Sequence, residues 1–344
     1  MAVKIGINGV GRIGRMVFRA AAAHPEVEVV AINDLTDARS LANLLKYDSA
    51  RGVYPGEVGS DADALIVNGV RVPVTAERNP TKLDWAASGV QIVVESTGIM
   101  RDRQAAEQHL TVGAEKVLIA GPATNPDGVF VVGVNDQTYD PAQHHILSLD
   151  SCVTNCLAPL CQVLVDQFGV ENVFVTAIHD FTHDEGNAGR QKSGNGAGKK
   201  SLDMMRTPSG MTAALGTVIP ELAGNVSGWF LRAPTPDSSL IDLTVQLKHE
   251  ASAAAINAAM IQAAEGQLKG VLEFSIDPVT SEMIADNPYS SILDCGLTTA
   301  RGRMVKLYAW YDGEWGYSNR IVDMVYRMSQ VRSANSVTKD KALV

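Results

Sequence analysis

The sequence lacks the features that would assign it to a secreted or a membrane-bound class. Its 344 residues include only four cysteines, too few for the disulfide framework of a small secreted domain. It has no apolar run of about 18 residues, the length that a membrane-spanning helix requires. It has no internal repeats, and its start indicates a short strand and a glycine turn rather than a signal peptide. We therefore expect a cytoplasmic protein.

Basic residues are also in deficit. The sequence has 29 lysines and arginines against 38 aspartates and glutamates, which gives a net charge of −9, and it has no basic block. Phosphate backbones and anionic lipid headgroups repel an acidic surface of this kind. We expect no nucleic acid and no membrane as a partner, and we predict no metal site.

The sequence does contain enough apolar residues for two cores. Hydrophobic residues make up 46% of the chain and charged residues 19%, and 344 residues exceed the size of one ordinary core. In the first half, apolar strands alternate with helices, which predicts a parallel sheet. The predicted strands lie at 3–8, 27–34, 90–98, 115–122, 128–135 and 144–149, with a helix at about 101–112.

A nucleotide-binding pattern opens this half. The strand at 3–8 is followed by Gly9, Gly11 and Gly14 in GxGxxG spacing, then by a helix and a second strand that ends at Asp34. The glycines let a pyrophosphate approach the helix N-terminus, where N–H groups favour an anion. Asp34 would accept hydrogen bonds from a ribose hydroxyl and repel a 2′-phosphate, so NAD is the predicted cofactor. The alternative is a packing turn without a ligand, which the strand, the helix and the acid together disfavour.

Further candidate contacts to the cofactor lie at the ends of the predicted strands. Ligands of parallel sheets bind beyond the carboxyl ends of the strands. Thr97 and Gly98 follow one such strand, and Gly121 lies near the end of another. Arg12, inside the glycine turn, could contact a phosphate or remain solvated.

The stretch DSCVTNC (150–156) carries the candidate nucleophile. An apolar stripe at helical spacing follows it, so Cys152 is predicted at a helix N-terminus, where the helix dipole favours a thiolate. The strand before it ends at 149, which predicts that Cys152 lies at the cofactor edge of the sheet. Cys156 and Cys161 are expected to be core residues, and Cys295 a strand residue.

The second half supplies a candidate partner for this thiol. His179 ends a predicted strand, although the residues alone do not distinguish it from the other histidines. A thiolate, an imidazole and NAD together favour aldehyde oxidation. The thiolate adds to the aldehyde, the imidazole removes the hydroxyl proton as hydride leaves, and a thioester remains. The glycine-rich stretch 185–210 is predicted to be a functional loop.

The predicted fold class is α/β. It combines a Rossmann-type doubly wound parallel sheet with an α+β catalytic domain that has a mixed, mostly antiparallel sheet. The NAD-binding domain is predicted at 1–151 and is closed by a C-terminal helix at about 315–332. The catalytic domain is predicted at 152–314.

The sequence resembles the glyceraldehyde-3-phosphate dehydrogenase family over essentially its whole length. The stretches that carry this resemblance are KIGINGVGRIGR, AINDL, LLKYDS, ESTG, SCVTNC followed by LAPL, IHDFT, VIPEL, LRAPTPDSSLIDLT and WYDGEWGYSNR. The resemblance implies a homotetramer that oxidises a small phosphorylated aldehyde. It also implies that inorganic phosphate attacks the thioester to give an acyl phosphate.

The resemblance also assigns roles to individual residues. Cys152 matches the nucleophile and His179 the base. Thr182 and Arg232 match the pair that binds the substrate phosphate, and Ser151, Ser209 and Gly210 match part of the inorganic phosphate site. The candidate cofactor contacts are Gly9, Gly11, Arg12, Ile13, Asp34, Thr97, Gly98 and Gly313.

Several positions depart from the family pattern. Val153 replaces the threonine that usually follows the nucleophile, and Gly313 replaces the asparagine that binds the nicotinamide carboxamide. Ala120 replaces a usual serine, SLD (148–150) replaces Ser-Asn-Ala, and the 185–210 loop lacks the usual arginine-rich run. These departures place the inorganic phosphate partner in doubt. The alternatives are a paralogue that acts on another aldehyde phosphate such as erythrose 4-phosphate, an altered acyl acceptor, or a binding or thiol-sensing protein on the same fold.

We predict from Asp34 that the apo-protein binds NAD more tightly than NADP, because a 2′-phosphate would lie against a carboxylate. Arg39, five residues further along, is the nearest cation in sequence that could counter this repulsion. Titration of the apo-protein with both cofactors measures the preference. Tighter binding of NADP would show that Asp34 does not have this role.

Overall fold

The chain forms two compact units in its computed structural model, which describes residues 2–48, 51–180, 205–207, 210–233 and 238–341. The first unit comprises Met1–Ser151 together with Tyr317–Val344. The second unit comprises Cys152–Gly316.

The first unit is built on a nine-stranded sheet with helices connecting its strands. Its helices are α1 (Arg12–Ala23), α2 (Ala38–Lys46) and α3 (Arg103–Thr111). Its strands are β1 (Val3–Asn8), β2 (Val27–Asn33), β3 (Tyr47–Asp48), β4 (Gly52–Val53), β5 (Val58–Ser60), β6 (Ala64–Val67), β7 (Val70–Thr75), β8 (Ile92–Glu95), β9 (Lys116–Ile119), β10 (Gly128–Val129) and β11 (Ile146–Ser148). The strands β3 and β4 form a separate two-stranded sheet.

The order of the nine strands confirms the predicted doubly wound sheet. They run β10-β11-β9-β8-β1-β2-β7-β6-β5, and every pair from β10 to β7 is parallel. Only the edge pairs β7-β6 and β6-β5 are antiparallel. Ile5 and Ile7 of the central strand β1 are fully buried, as expected where helices cover both faces of a parallel sheet. The carboxyl ends of β1, β2 and β8 therefore lie side by side.

The predicted strand at 128–135 is wrong over most of its length. Only Gly128–Val129 pairs in the sheet, and a turn follows in which the side chain of Asn135 accepts a hydrogen bond from Val131 N. Phe130 and Val131 are buried within this turn. An apolar run that is buried by a compact turn has the same composition as a buried strand, so periodicity alone could not separate the two.

The second unit contains a mixed sheet with helices against it. Its helices are α4 (Cys152–Phe168), α5 (Met211–Val218) and α6 (Ala253–Glu265). Its strands are β12 (Val170–Asp180), β13 (Met205–Thr207), β14 (Val226–Ala233), β15 (Ser239–Leu247), β16 (Leu272–Ser275), β17 (Ser291–Asp294), β18 (Thr299–Arg301) and β19 (Met304–Tyr311). The strand β13 lies inside the predicted 185–210 loop, so that stretch is not entirely loop.

The strand order of this sheet confirms its mixed, mostly antiparallel character. It runs β13-β14-β12-β15-β19-β17-β16, with β18 paired to β19. The pairs β12-β14 and β16-β17 are parallel and the others are antiparallel. One face is core, since Ile241 and Leu243 are fully buried, whereas Phe174 and Trp229 on the other face are each 54% exposed.

The last helix, α7 (Trp315–Lys341), begins at a side-chain cap. The Asp312 carboxylate accepts hydrogen bonds from the backbone N–H groups of Glu314 and Trp315 at 3.0 and 2.8 Å. The helix continues beyond the predicted end near 332. The apolar spacing stops at Val331, so the pattern could not indicate the remaining turns.

Most of α7 belongs to the first unit. The Tyr317 hydroxyl donates to the carbonyl oxygen of Asp150 at 2.8 Å, and the ring of Tyr326 lies 5.1 Å from that of His24. Ile321 and Val325 are fully buried. Within the described ranges, no helix of the protein combines the length and the apolar character needed to cross a membrane.

Candidate active site

Cys152 is the first residue of α4 and is partly exposed. The helix begins here because the apolar stripe that follows packs into the second unit, with Leu157, Leu160 and Leu164 fully buried. No acidic residue occupies the first turn. The positive end of the helix dipole therefore acts on the thiol without a nearby carboxylate in that turn to oppose it.

The structure brings His179 to this thiol. The imidazole Nε2 lies 3.4 Å from Cys152 Sγ, and His179 is 6% exposed near the end of β12. A thiol and an imidazole at this distance can share a proton. Residue patterns alone could not select His179 among the histidines, because the contact depends on α4 packing against the end of β12; only the family resemblance indicated the pairing.

Arg232 contacts the other nitrogen of the same imidazole. The parallel register of β12 and β14 places Arg232 beside His179, and its Nη1 atom lies 3.1 Å from His179 Nδ1. A guanidinium has only donors, so Nδ1 accepts this hydrogen bond. In the neutral imidazole the proton is then on Nε2, where it points at Cys152 Sγ and stabilises a thiolate.

Aromatic rings that the sequence analysis did not identify fix the plane of this imidazole. The ring centroid of His179 lies 5.6 Å from that of Phe230 and 6.1 Å from that of Tyr311. The guanidinium of Arg232 also lies over Phe230, 4.9 Å from the ring centroid. Phe230 and Arg232 lie two residues apart in β14, and residues at that spacing in a strand point to the same face. This spacing was the feature of the sequence that could have placed Phe230 beside Arg232.

Gly313 lies against the Cys152–His179 pair. A Cβ atom at Gly313 would be 2.9 Å from His179 Nε2 and 3.6 Å from Cys152 Sγ. The buried Asp312 fixes this turn, since its Oδ2 also accepts a hydrogen bond from Asp286 N at 3.1 Å. A side chain at position 313 would therefore crowd His179 Nε2, and the glycine leaves that space open.

The other three cysteines differ from Cys152 in their environments. Cys156 and Cys161 are fully buried, and burial raises the pKa of Cys156 strongly and that of Cys161 to about 12. Partial burial also raises the pKa of Cys295. The strand prediction for Cys295 is wrong, because β17 ends at Asp294 and a short 3-10 helix begins at Cys295.

The candidate phosphate contacts are only partly described. Thr182 and Ser209 lie outside the described residues. Gly210 is exposed and directly precedes α5, and Val153 is 2% exposed in the first turn of α4. Ser151 belongs to the first unit, where its hydroxyl donates to Asp150 Oδ2 at 3.2 Å.

The first unit has an open helix N-terminus at the glycine turn. Gly11 precedes α1, no side chain caps that helix, and a Cβ atom at Gly11 would have nothing within 4 Å. By contrast, a Cβ atom at Gly14 would lie 2.1 Å from Gly9 O, so a glycine is required there for α1 to pack against the glycine turn. Arg12 and Ile13 are both partly buried at the start of the helix.

Asp34 is fixed at the end of β2. Its Oδ2 accepts a hydrogen bond from Val10 N at 2.6 Å, and its Oδ1 accepts one from Thr36 N at 2.8 Å. An uncovered helix N-terminus suits a pyrophosphate, and a fixed carboxylate suits ribose hydroxyls. These residues of the first unit therefore fit a dinucleotide.

Thr97 and Gly98 follow β8, and Gly98 has a φ of 71°. A Cβ atom at Gly9, where φ is 89°, would lie 2.8 Å from the backbone of Thr97, so the glycine turn packs directly on Thr97. Among the described residues, no cluster of His, Cys, Asp or Glu side chains could bind a metal ion.

Comparison with known proteins finds one family match in the first half of the chain and one in the second half. Residues 3–103 match the NAD binding domain of glyceraldehyde 3-phosphate dehydrogenase, and residues 151–313 match its C-terminal domain. The chain belongs to the glyceraldehyde-3-phosphate dehydrogenase family. The resemblance inferred from its motifs is thereby confirmed.

Curated members of this family align with nearly the whole chain. The chain is 48% identical to glyceraldehyde-3-phosphate dehydrogenase 1 of Bacillus subtilis and 47% identical to the enzyme of Geobacillus stearothermophilus. Each alignment covers 94% of this chain and 97% of the relative. The enzyme of Mycobacterium tuberculosis is 46% identical, over 94% of this chain and 98% of its own length.

We predict that iodoacetamide modifies Cys152 much faster than the other cysteines of this family member. Cys152 is partly exposed and contacts His179, whereas burial keeps Cys156 and Cys161 protonated. His179→Asn should slow the reaction, and His249→Asn, at an exposed histidine of the second unit, is the matched control. Peptide mass spectrometry at short times measures the site. Equal labelling of all four cysteines, or an unchanged rate in His179→Asn, would contradict the pairing.

Proposed function

We propose that the protein oxidises glyceraldehyde 3-phosphate with NAD and inorganic phosphate to 1,3-bisphosphoglycerate, with Cys152 as nucleophile. The observation that carries this proposal is the 3.4 Å contact between Cys152 Sγ and His179 Nε2 in a member of this enzyme family. We assign 1–151 with the helix from about 315 as the NAD-binding domain, and 152–314 as the catalytic domain. Residues 3–103 match the NAD binding domain of the family, which supports this division.

The first chemical step forms a bond between Cys152 and the aldehyde. The thiolate attacks the carbonyl carbon, and the π electron pair moves to the oxygen. The N–H at His179 Nε2 donates to this oxygen and stabilises its negative charge. The proton that the Cys152 thiol gave up ends on this oxygen, so the product is a hemithioacetal on Cys152.

Oxidation of the hemithioacetal leaves a thioester on Cys152. Bound NAD supplies a hydride acceptor, and Gly9, Gly11, Arg12, Ile13, Asp34, Thr97 and Gly98 are the residues that we assign to its binding. His179 can remove the hydroxyl proton only through an unprotonated Nε2. The imidazole then carries its proton on Nδ1, and Arg232 can no longer donate to that nitrogen.

The roles of Arg232 and His179 are therefore linked. We assign Arg232, with Thr182, to the phosphate of the substrate. A phosphate dianion is a stronger acceptor for a guanidinium than a neutral imidazole is. Substrate binding would therefore withdraw Arg232 from Nδ1 and allow His179 to act as the base.

The thioester is resolved by an acyl acceptor, which we propose to be inorganic phosphate. Ser151, Ser209 and Gly210 are its candidate contacts. We assign Gly313 to the nicotinamide side of the site, where it lacks the amide side chain usual in the family. Hydrogen bonds to the carboxamide must then come from other groups, and NAD affinity should be lower for that reason.

The alternative functions have less support. The three relatives named above are all glyceraldehyde-3-phosphate dehydrogenases, which disfavours a paralogue specific for erythrose 4-phosphate. A pure binding or thiol-sensing protein would not need His179 and Arg232 in contact beside the cysteine. An altered acyl acceptor is the alternative that the departure at Val153 favours.

We also propose a homotetramer in the cytoplasm. The exposed face of the sheet in the second unit carries the large apolar side chains of Phe174 and Trp229, which a subunit contact would bury. NAD and aldehyde phosphates are charged and cross membranes poorly, which supports a cytoplasmic location. The molar mass in solution, measured by light scattering, tests the tetramer.

Arg232→Ala should lower kcat/KM for glyceraldehyde 3-phosphate by about tenfold to a hundredfold, the effect of losing one hydrogen bond to a charged group. For glyceraldehyde, which has no phosphate, the loss should be far smaller. Initial rates of NADH formation with both aldehydes measure the difference. Arg303→Ala, at an exposed arginine paired with Glu171, is the control. Equal losses for the two aldehydes would show that Arg232 does not bind the phosphate.

The proposed reaction requires that NADH formation from glyceraldehyde 3-phosphate depend on inorganic phosphate. We predict an unusually high KM for phosphate, because Val153 lacks a hydroxyl whose hydrogen bond to the dianion would contribute about 1.5–3 kcal/mol. Val153→Thr should lower this KM, with KM for the aldehyde unchanged. Rates over a range of phosphate concentrations at saturating aldehyde and NAD provide the measurement. Low KM in the unmodified protein would show that other contacts replace the hydroxyl, and phosphate-independent turnover would indicate another acceptor.

A further inference from the structure

A buried polar cluster lies beneath the proposed cofactor contacts of the first unit. We call it the Glu95 cluster and define it as Asn8, Asn33, Trp85, Glu95 and His109. Glu95 is 1% exposed and His109 is fully buried. Burial of a carboxylate is costly unless hydrogen bonds compensate for its lost hydration. None of these residues is among the proposed cofactor contacts.

The hydrogen bonds fix the proton positions in this cluster. Trp85 Nε1 lies 3.0 Å from His109 Nδ1, and an indole N–H can only donate, so Nδ1 accepts. The proton of the neutral imidazole is therefore on Nε2, which lies 3.1 Å from Glu95 Oε2 and donates to it. Trp85 thus determines which nitrogen of His109 donates to the carboxylate.

An amide donates to the same carboxylate oxygen. Asn8 Nδ2 lies 2.5 Å from Glu95 Oε2. The orientation of this amide is set by Asn33, whose Nδ2 donates to Asn8 Oδ1 at 2.7 Å. One oxygen of Glu95 is therefore held by two donors from neighbouring elements of the unit, and the carboxylate has a single orientation.

The other carboxylate oxygen points toward Thr97. Glu95 Oε1 accepts hydrogen bonds from Thr97 N at 2.9 Å and from the Thr97 hydroxyl. Thr97 in turn packs against Gly9, and the neighbouring Ser96 hydroxyl donates to Gly9 O at 2.6 Å. A rotation of the Glu95 carboxylate would therefore change the conformation of Thr97 and its contact with the glycine turn.

We propose that Glu95 is a positioning residue for the dinucleotide. Oriented by His109 and Trp85, its carboxylate fixes Thr97 against the glycine turn, so that the proposed cofactor contacts are in place before NAD arrives. This inference rests on NAD binding by the first unit. It adds residues that act through Thr97 and that do not themselves contact the cofactor.

Glu95→Gln tests this role with little change in shape. The side-chain amide nitrogen that this substitution introduces must face either the donors of Thr97 or those of His109 and Asn8, and in both orientations a donor opposes donors. The dissociation constant for NAD should rise by about tenfold, the effect of losing one hydrogen bond to a charged group. KM for the aldehyde and the alkylation rate of Cys152 in the apo-protein should not change.

A double-mutant cycle separates positioning from simple stabilisation. Thr97→Val removes the hydroxyl that donates to Glu95, so its effect on NAD affinity should not add to that of Glu95→Gln. Glu107→Gln, at an exposed carboxylate on the same helix as His109, should leave NAD affinity unchanged. Trp85 emission should shift in Glu95→Gln, because the hydrogen-bond partner of its indole is perturbed.

Three outcomes decide the inference. Unchanged NAD affinity in Glu95→Gln, or additive effects of Glu95→Gln and Thr97→Val, would overturn it. If Glu95→Gln does not fold, Trp85→Phe retains the carboxylate but removes the donor to His109. It should still weaken NAD binding, and unchanged affinity would again overturn the inference. If the unmodified protein does not bind NAD, the proposed function fails first, so the two failures are distinguishable.

Discussion

The contact between Cys152 and His179 is the interaction on which the chemistry of this protein depends. It requires α4 to begin at Cys152 and β12 to extend to the residue after His179. The apolar stripe of α4 and the long central strand supply these conditions. Neither side chain is unusual by itself. The reactive group is created by the fold, because it brings a helix N-terminus to the end of a strand.

The same imidazole shows how a second contact changes the chemistry of the first. Arg232 donates to Nδ1, which leaves Nε2 as the donor toward sulfur. His109 in the first unit obeys the same rule, because Trp85 donates to its Nδ1 and leaves Nε2 to donate to Glu95. In both units a donor that cannot accept selects the tautomer of a buried histidine. Substitution of such a donor therefore changes the direction of hydrogen bonds beyond its immediate contact.

The elements that sequence reasoning predicted well are those whose signal is local. The glycine turn, the strand before it and Asp34 belong to one short stretch, and the helix at Cys152 follows from the spacing of its own apolar residues. The contacts of His179 were not predictable in this way. Arg232 and His179 are 53 residues apart in sequence, and the register of two parallel strands brings them together. Phe230 and Tyr311 lie on two different strands of the same sheet. Only the family resemblance selected His179 among the histidines. The strand predicted after Val129 was wrong for a different reason. There the local signal was present but misleading, because a buried turn can have the same apolar composition as a buried strand.

The division of the chain has a consequence for its biosynthesis. The first unit contains Met1–Ser151 and also Tyr317–Val344, so most of the helix α7 belongs to it although the second unit lies between them in the sequence. Ile321 and Val325 of that helix are fully buried in the finished protein. During translation, which proceeds at about 5–20 residues per second, the nucleotide-binding sheet emerges from the ribosome well before this helix does. The unit that is synthesised first is therefore completed only after the whole second unit has been synthesised.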